Sequence, residues 1–139
     1  MRDIMNGLHI AAAFAPGAAV TDNTAQVSTV ADLKGYGAAM LSLITGTLSD
    51  ADATFTLLIE DSDDNSSYSA VDDAYLNGTE ALGSFTFADD GEPRKIGYTG
   101  KKRYVRATVT PANNTGNLYM AGVWVLGKPS RQPTANPPA

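Results

Sequence analysis

Four closely spaced pairs of carboxylates are the residues in this sequence most capable of chemistry. The pairs are Asp50 with Asp52, Asp63 with Asp64, Asp72 with Asp73, and Asp89 with Asp90. Such pairs can ligate calcium through oxygen or hydrolyse a glycosidic bond. The stretch from Asp61 lacks the ligand order of a calcium loop, and every pair lies in a polar, turn-like context without the burial that raises a carboxyl pKa. We therefore interpret these acids as solvated turn residues.

Other side chains that could react are few and isolated. His9 is the sole histidine and the chain has no cysteine, so a zinc site or a nucleophile–base pair of the usual kind cannot be built. Gly35 and Gly37 do not follow the strand–helix pattern of a phosphate-binding loop. The sequence predicts a protein that is not an enzyme and has no catalytic, metal-binding or cofactor-binding residues.

The segments that contain or flank these residues are predicted to be short β-strands. Segments rich in β-branched and aromatic residues alternate with clusters of Gly, Asp, Asn, Ser and Pro, which is typical of an antiparallel sandwich. We predict an all-β, antiparallel, jelly-roll-like sandwich of about eight short strands. The predicted strands are residues 24–30, 38–45, 54–60, 68–71, 82–87, 94–98, 103–110 and 118–126.

Several of these strands alternate between apolar and polar residues, so each has a core side and a solvent side. The predicted core sides are Phe55, Leu57 and Ile59; Phe85 and Phe87; and Val105, Ala107 and Val109.

The strand 118–126 is apolar on both faces. Leu118, Met120, Trp124 and Leu126 share one face, and Tyr119, Ala121, Val123 and Val125 share the other. Either the strand is covered on both sides within its own domain, for example by the N-terminal segment, or one face packs on another subunit.

We expect one folded domain at residues 24–126 between two extended segments. Residues 1–23 are predicted to form an N-terminal arm; the alternative, a secretory signal, is weakened by Asp3, His9 and Pro16. Residues 127–139 contain four prolines and are predicted to form an extended or disordered tail. Deletion of residues 1–19 is expected to weaken binding to a partner more than it harms the isolated fold.

Charge is distributed unevenly along the chain. The formal net charge is −5, which disfavours nucleic-acid binding, and no apolar run reaches the roughly 20 residues of a membrane span. Residues 50–92 hold twelve acidic and no basic groups, and residues 93–139 hold eight basic and no acidic groups. These groups form either complementary patches for a partner or cross-strand pairs within the domain.

Two stretches carry a resemblance to a known family. They are residues 58–71, LIEDSDDNSSYSAV, and residues 97–109, GYTGKKRYVRATV. A strand that ends in an acidic, serine-rich turn, followed later by a basic turn into an Arg-Tyr-Val-Arg strand, resembles small phage and prophage structural proteins. The whole chain resembles the cement proteins, or capsid decoration proteins, of short-tailed Bordetella bacteriophages.

This resemblance implies a jelly-roll-like fold on the outer surface of an icosahedral virion, bound to a major capsid protein of the HK97 type, with the decoration subunits associating as dimers. From the residues themselves, we predict hydrophobic anchors and electrostatic contacts for such a partner. The predicted contact residues are Phe14 and Tyr119 as anchors and Lys101, Lys102, Arg103 and Arg106 as charges.

A second hypothesis is a carbohydrate-binding sandwich for host attachment, and an enzyme ranks third. The sugar-stacking candidates are Tyr36, Tyr68, Tyr75 and Trp124, of which Trp124 is also explained as a core residue.

Overall fold

The computed structural model describes residues 2–135 of the chain, and these form eleven strands with very little helix. The strands are β1 (His9–Phe14), β2 (Gln26–Val27), β3 (Ala31–Asp32), β4 (Tyr36–Leu48), β5 (Thr54–Ser62), β6 (Ser69–Ala70), β7 (Leu76–Asn77), β8 (Phe85–Thr86), β9 (Pro93–Tyr98), β10 (Tyr104–Ala112) and β11 (Leu118–Pro129). The one α-helix, α1, spans Glu80–Gly83, and single 3₁₀ turns occupy Met5–Gly7 and Asp73–Tyr75. Within the described residues, no helix has both the length and the hydropathy to cross a bilayer.

Two antiparallel sheets form a sandwich, which confirms the predicted fold class. The first sheet has the order β1-β11-β4-β9-β7, and the second has the order β2-β10-β5-β6, with β3 also on β10 and β8 also on β5. The predicted count of about eight strands is too low, because β1, β3 and β7 were missed. The last two of these are only two residues long and have no periodicity for a sequence pattern to detect.

The core lies between the inner faces of the two sheets, as the alternation of β5 and β10 predicts. Phe55, Leu57 and Ile59 of β5 are buried, and Val105, Ala107 and Val109 of β10 are fully inaccessible to solvent. Phe85 is buried and its ring stacks on Phe55 at 5.0 Å. The same prediction is wrong for Phe87, which is exposed because β8 ends at Thr86 and the chain turns there.

The predicted boundary between an arm at residues 1–23 and a domain at residues 24–126 requires correction. β1 lies inside the predicted arm, yet it is a full strand of the first sheet and pairs with β11 from His9 to Phe14. An alanine-rich segment has weak β propensity, but it forms a strand here because it pairs with the edge of β11. The described part of the N-terminal segment is therefore integral to the sandwich.

The predicted tail at residues 127–139 also begins too early, since β11 continues to Pro129. Beyond it, the Thr134 N–H donates to the Asn6 carbonyl at 3.0 Å, and the Thr134 hydroxyl donates to the Leu8 carbonyl. The described part of the tail thus packs against residues 5–8. Residues 136–139 lie outside the described residues.

Candidate protein-docking surface

The outer face of the first sheet is an apolar surface built from four neighbouring strands. Residues paired directly across strands point to the same side of a sheet, and the register gives three rows on the side away from the core. The rows are Ile10, Val125, Met40 and Gly97; Ala12, Val123, Ser42 and Lys95; and Ala121, Ile44 and Pro93. Tyr119 and Gly46 extend the surface by one more row. We call these residues the outer face.

Several large apolar side chains of the outer face are open to solvent. Ile44 is 49% exposed, Ile10 and Tyr119 are each 42% exposed, and Val123 is 37% exposed. Among the described residues, Lys95 is the one charged side chain in these rows. The outer side of an exposed antiparallel sheet is normally polar, so this composition makes the outer face the candidate for a protein-docking surface.

The second sheet provides an internal comparison, because its outer side is mostly polar, with Leu58 and the exposed Val27 as exceptions. The alternate residues of β10 on that side include Arg106, Thr108 and Thr110, and they pair with Glu60, Leu58 and Thr56 of β5. The two outer sides of one sandwich therefore differ in chemistry. The second face of strand 118–126 is open to solvent at Tyr119 and Val123, so the described chain does not cover it completely.

Gly46 sets the position of Tyr119 on the outer face. The register of β4 and β11 shifts between Leu118 and Met120, so Tyr119 lies over the extra residue of β4. A β-carbon at Gly46 would lie 2.8 Å from the Tyr119 β-carbon, which is too close for two non-bonded carbon atoms. Glycine at position 46 is required for the ring to stand where it does.

Phe14 does not lie on an exposed surface, which corrects its predicted role as a partner anchor. Its side chain is 7% exposed and belongs to the hydrophobic core. A β-carbon at Gly122 would lie 3.2 Å from the Phe14 ring, so glycine on β11 makes room for it. The register irregularity between Ala12 and Phe14 turns both Ala13 and Phe14 inward. Of the two predicted anchors, Tyr119 alone is accessible.

The predicted basic contacts are mostly engaged within the molecule. Arg103 forms two hydrogen bonds to the Asp32 carboxylate, each 2.8 Å long. Arg106 lies 3.3 Å from the directly opposite Glu60 and 4.0 Å from the centre of the Tyr68 ring. The Arg106–Glu60 contact is a cross-strand pair of the kind that the sequence left open as one of two alternatives, whereas Asp32 lies outside the acidic block at residues 50–92. Lys101 is exposed and takes part in none of the ion pairs found in residues 2–135.

Lys102 belongs to a polar bridge between the two sheets, of which Tyr98 and Asp61 are the buried members. The Tyr98 hydroxyl of β9 donates to Asp61 Oδ2 of β5 at 2.8 Å, and Lys102 Nζ lies 2.9 Å from Asp61 Oδ1. The Lys102 N–H donates back to the Tyr98 hydroxyl at 3.1 Å. Burial, followed by the hydrogen bond to Asp61, raises the pKa of Tyr98 to about 12. These residues come from the two stretches that carry the family resemblance, so that motif serves the fold.

Several turn acids act as local caps, as expected from the sequence, whereas Asp50 and Asp90 also accept hydrogen bonds from the distant Thr115 and Leu48. Asp64 accepts hydrogen bonds from the N–H groups of Ser66 and Ser67 and from the Ser62 hydroxyl. These donors, led by the Ser67 N–H, lower the pKa of Asp64 to about 2. A charged Asp50 is favoured mainly by the Thr115 N–H, which lowers its pKa. Residues 2–135 contain no cluster of three or more groups arranged to hold a metal ion.

These lowered pKa values predict acid sensitivity. The unfolded-state pKa lies near 3.8 and the folded-state pKa of Asp64 near 2, so the stabilising effect is complete above pH 4 and is lost as the pH falls toward 2. Urea unfolding at pH 7, 4, 3 and 2 should show a midpoint that drops over the last three values. The substitution Asp64→Asn, which keeps the acceptor oxygen but cannot titrate, should flatten that drop. A midpoint that does not change from pH 4 to pH 2 would contradict this assignment.

The aromatic residues proposed as a sugar platform are not brought together. Trp124 is 1% exposed and its indole N–H donates to the Thr29 carbonyl at 3.1 Å, so it is a core residue. Tyr36 stacks on His9 and Tyr68 lies against Arg106. Tyr75 is exposed, but no ring stack in the described part of the chain joins two of these four residues.

Comparison with known proteins supports the fold but does not assign the chain to a family. No family model and no curated protein match this chain. The PBSX exported protein XepA is similar, with a TM-score of 0.55 and 14% identity over 100% of this chain and 43% of its own. The chain thus spans less than half the length of XepA. The Clostridium thermocellum xylanase Xyn10B modules complexed with xylohexaose match with a TM-score of 0.41 and 13% identity, over 95% of this chain and 28% of theirs. A Cellvibrio japonicus carbohydrate esterase matches with a TM-score of 0.31 and 11% identity, over 94% of this chain and 37% of its own. Both are too distant to support a structural argument.

Proposed function

We propose that this chain is a non-enzymatic structural protein of a bacteriophage virion. It would bind the outside of an icosahedral capsid and stabilise contacts between subunits of a major capsid protein of the HK97 type. The observation that carries the proposal is the outer face: four strands of apolar side chains, one lysine, and incomplete cover by the described chain. The resemblance of residues 58–71 and 97–109 to phage structural proteins supplies the choice of partner.

The size of the outer face explains why such a protein acts in many copies. Four strands spaced by roughly 4.8 Å and four rows spaced by roughly 6.6 Å cover roughly 500 Å². Docking would bury on the order of 1,000 Å² over both partners, which is at the lower limit for a specific interface. One copy would bind weakly, whereas a dimer would present two such faces and gain avidity on a symmetric capsid. Association of this chain as a dimer is therefore part of the proposal.

Stabilisation would follow from selective binding. A protein that binds the assembled capsid and not the separate subunits shifts the equilibrium toward the assembled state. This mechanism needs neither a reactive group nor a cofactor. It is consistent with turn acids that accept backbone hydrogen bonds and with Arg103 and Arg106, which are paired internally.

Substitution of Val123 by lysine tests the docking surface. The new ammonium group would stand at the centre of the outer face and would lose its water on docking, which is unfavourable. Particles lacking this protein would be mixed with the purified chain and sedimented. We expect the wild type to approach one copy per major capsid subunit and V123K to bind about tenfold more weakly, a loss of about 1.4 kcal/mol.

The matched control is Thr110→Lys, which adds the same group to the outer side of the second sheet, where Thr110 is exposed. T110K should bind like the wild type. Equal binding by V123K and the wild type would show that the outer face is not the docking surface. No binding by the wild type would contradict the proposed function itself.

A further inference from the structure

A groove beside the outer face has the form of a site for an extended peptide segment. It has a volume of about 540 Å³, within the range of ligand-binding pockets. It is lined by Val20, by Thr29 and by four longer stretches, namely residues 13–18, Gln26 with Val27, residues 44–46, and residues 118–121. None of its lining residues is charged.

One side of the groove is the edge of a sheet. β2 is the end strand of the second sheet and pairs with β10 on one side only. The edge is closed further along the chain, where the Thr29 N–H donates to the Ala13 carbonyl at 2.9 Å. At Val27 the edge is open, and this side chain is 54% exposed. An unpaired strand edge next to an apolar groove is the arrangement used when a partner adds a strand to a sheet.

The loops that border the groove are acidic. Val20 lines the groove, and Asp22 follows two residues later. On the other side, the Gly91 N–H donates to the carbonyl of Gly46, which places residues 89–92 at the border. Asp89 is paired with Arg94 at 2.9 Å. The remaining acids of these loops are Asp22, Asp90 and Glu92, and the loops contain no lysine or arginine.

Asp22 and Asp90 both accept hydrogen bonds from backbone N–H groups. Asp22 accepts from the Thr24 N–H at 2.9 Å, and Asp90 accepts from the Leu48 N–H at 2.8 Å. The hydrogen bond from the Thr24 N–H lowers the pKa of Asp22. The border of the groove therefore carries a fixed negative potential that an acidic segment would not match and a basic one would.

We infer that this groove binds an extended segment of a partner chain, which adds to the edge of β2, places alternate apolar side chains in the groove and carries a lysine or arginine toward the acidic loops. The inference deepens the proposed function, on which it rests for the identity of the chain that supplies the segment, namely the major capsid protein. It assigns Tyr119 a position where the groove meets the outer face, so that one partner can occupy both.

The test uses the isolated protein and two synthetic peptides. One is acetyl-Lys-Val-Thr-Val-Lys-amide, and the other replaces both lysines by glutamate. Amide chemical shifts of the ¹⁵N-labelled chain would be followed during titration. We expect the lysine peptide to shift the amides of Gln26, Val27 and Tyr119 and to bind at least about fivefold more tightly than the glutamate peptide, with a difference that shrinks as salt is added.

Two lysine substitutions separate this site from the outer face. V27K places a cation at the open edge of β2 and should weaken the lysine peptide about tenfold. V123K should leave the peptide affinity unchanged while it reduces binding to particles. No shifts at the groove, shifts confined to the outer face, or equal affinity for the two peptides would overturn the inference. None of these results depends on particles, so the proposed function can fail or stand separately.

Discussion

Replacement of Phe14 by alanine is expected to lower the free energy of unfolding of the isolated protein by about 3–5 kcal/mol. The ring is 7% exposed and packs among the buried residues of the sandwich. Its removal would leave a cavity between β1 and β11, because Gly122 has no side chain to fill the space. Urea unfolding of the wild type and F14A, followed by far-UV circular dichroism, measures this difference.

Tyr119→Ala is the matched control, since the sequence predicted the same role for both aromatic residues. Tyr119 is 42% exposed, so its removal should cost less than about 1 kcal/mol in the isolated chain. If F14A were as stable as the wild type and lost only partner binding, Phe14 would be the exposed anchor that the sequence suggested.

Deletion of residues 1–19 removes β1 together with the buried Phe14. We therefore expect this deletion to unfold the sandwich, in contrast to the sequence-based expectation.

The second large effect is expected for Asp61→Ala. The substitution leaves the Tyr98 hydroxyl and the Lys102 ammonium without their acceptor, at a point where the two sheets are joined. Loss of one member of a buried charged network destabilises a protein by about 3–5 kcal/mol. Because Lys102 is partly open to solvent, with 38% of its side chain exposed, we expect about 2–3 kcal/mol.

Asp63→Ala is the control, because Asp63 is an exposed neighbour in the same acidic turn. It should change the stability by less than about 0.5 kcal/mol. Equal destabilisation by D61A and D63A would indicate a general effect of the turn and would contradict a specific role for the bridge.

Titration of Tyr98 provides an independent measurement of the same bridge. The pKa of Tyr98 is raised from 10.0 to about 12 by burial and by the hydrogen bond to Asp61. A raised folded-state pKa contributes stability that is complete below pH 10 and is lost as the pH rises toward 12. The wild type should therefore lose stability over this interval. Ultraviolet titration at 295 nm should show two tyrosines with late transitions, because burial also raises the pKa of Tyr68, and Tyr98→Phe should remove one of them.

Much of the sandwich could be predicted because its long strands have one side that faces solvent and one side that faces the core. Alternation in β5 and β10 placed their core residues correctly, since a period of two leaves a choice of only two faces. The acids that cap their own turns, such as Asp64 and Asp72, were also identified correctly, because short polar side chains cap their own backbone locally. These features depend on neighbours in sequence, and the sequence alone determined them.

Tertiary structure decided everything that depends on neighbours distant in sequence. β1 is a strand because β11, more than 100 residues later, offers it an edge. Phe14 is buried because Gly122 faces it, and the charge of Arg106 is paired because Glu60 lies directly opposite. The apolar second side of β11 could be read from the sequence, but whether anything covered it could not. Burial is a property of the assembled sheets, so only the fold could show that this side of the sandwich remains open.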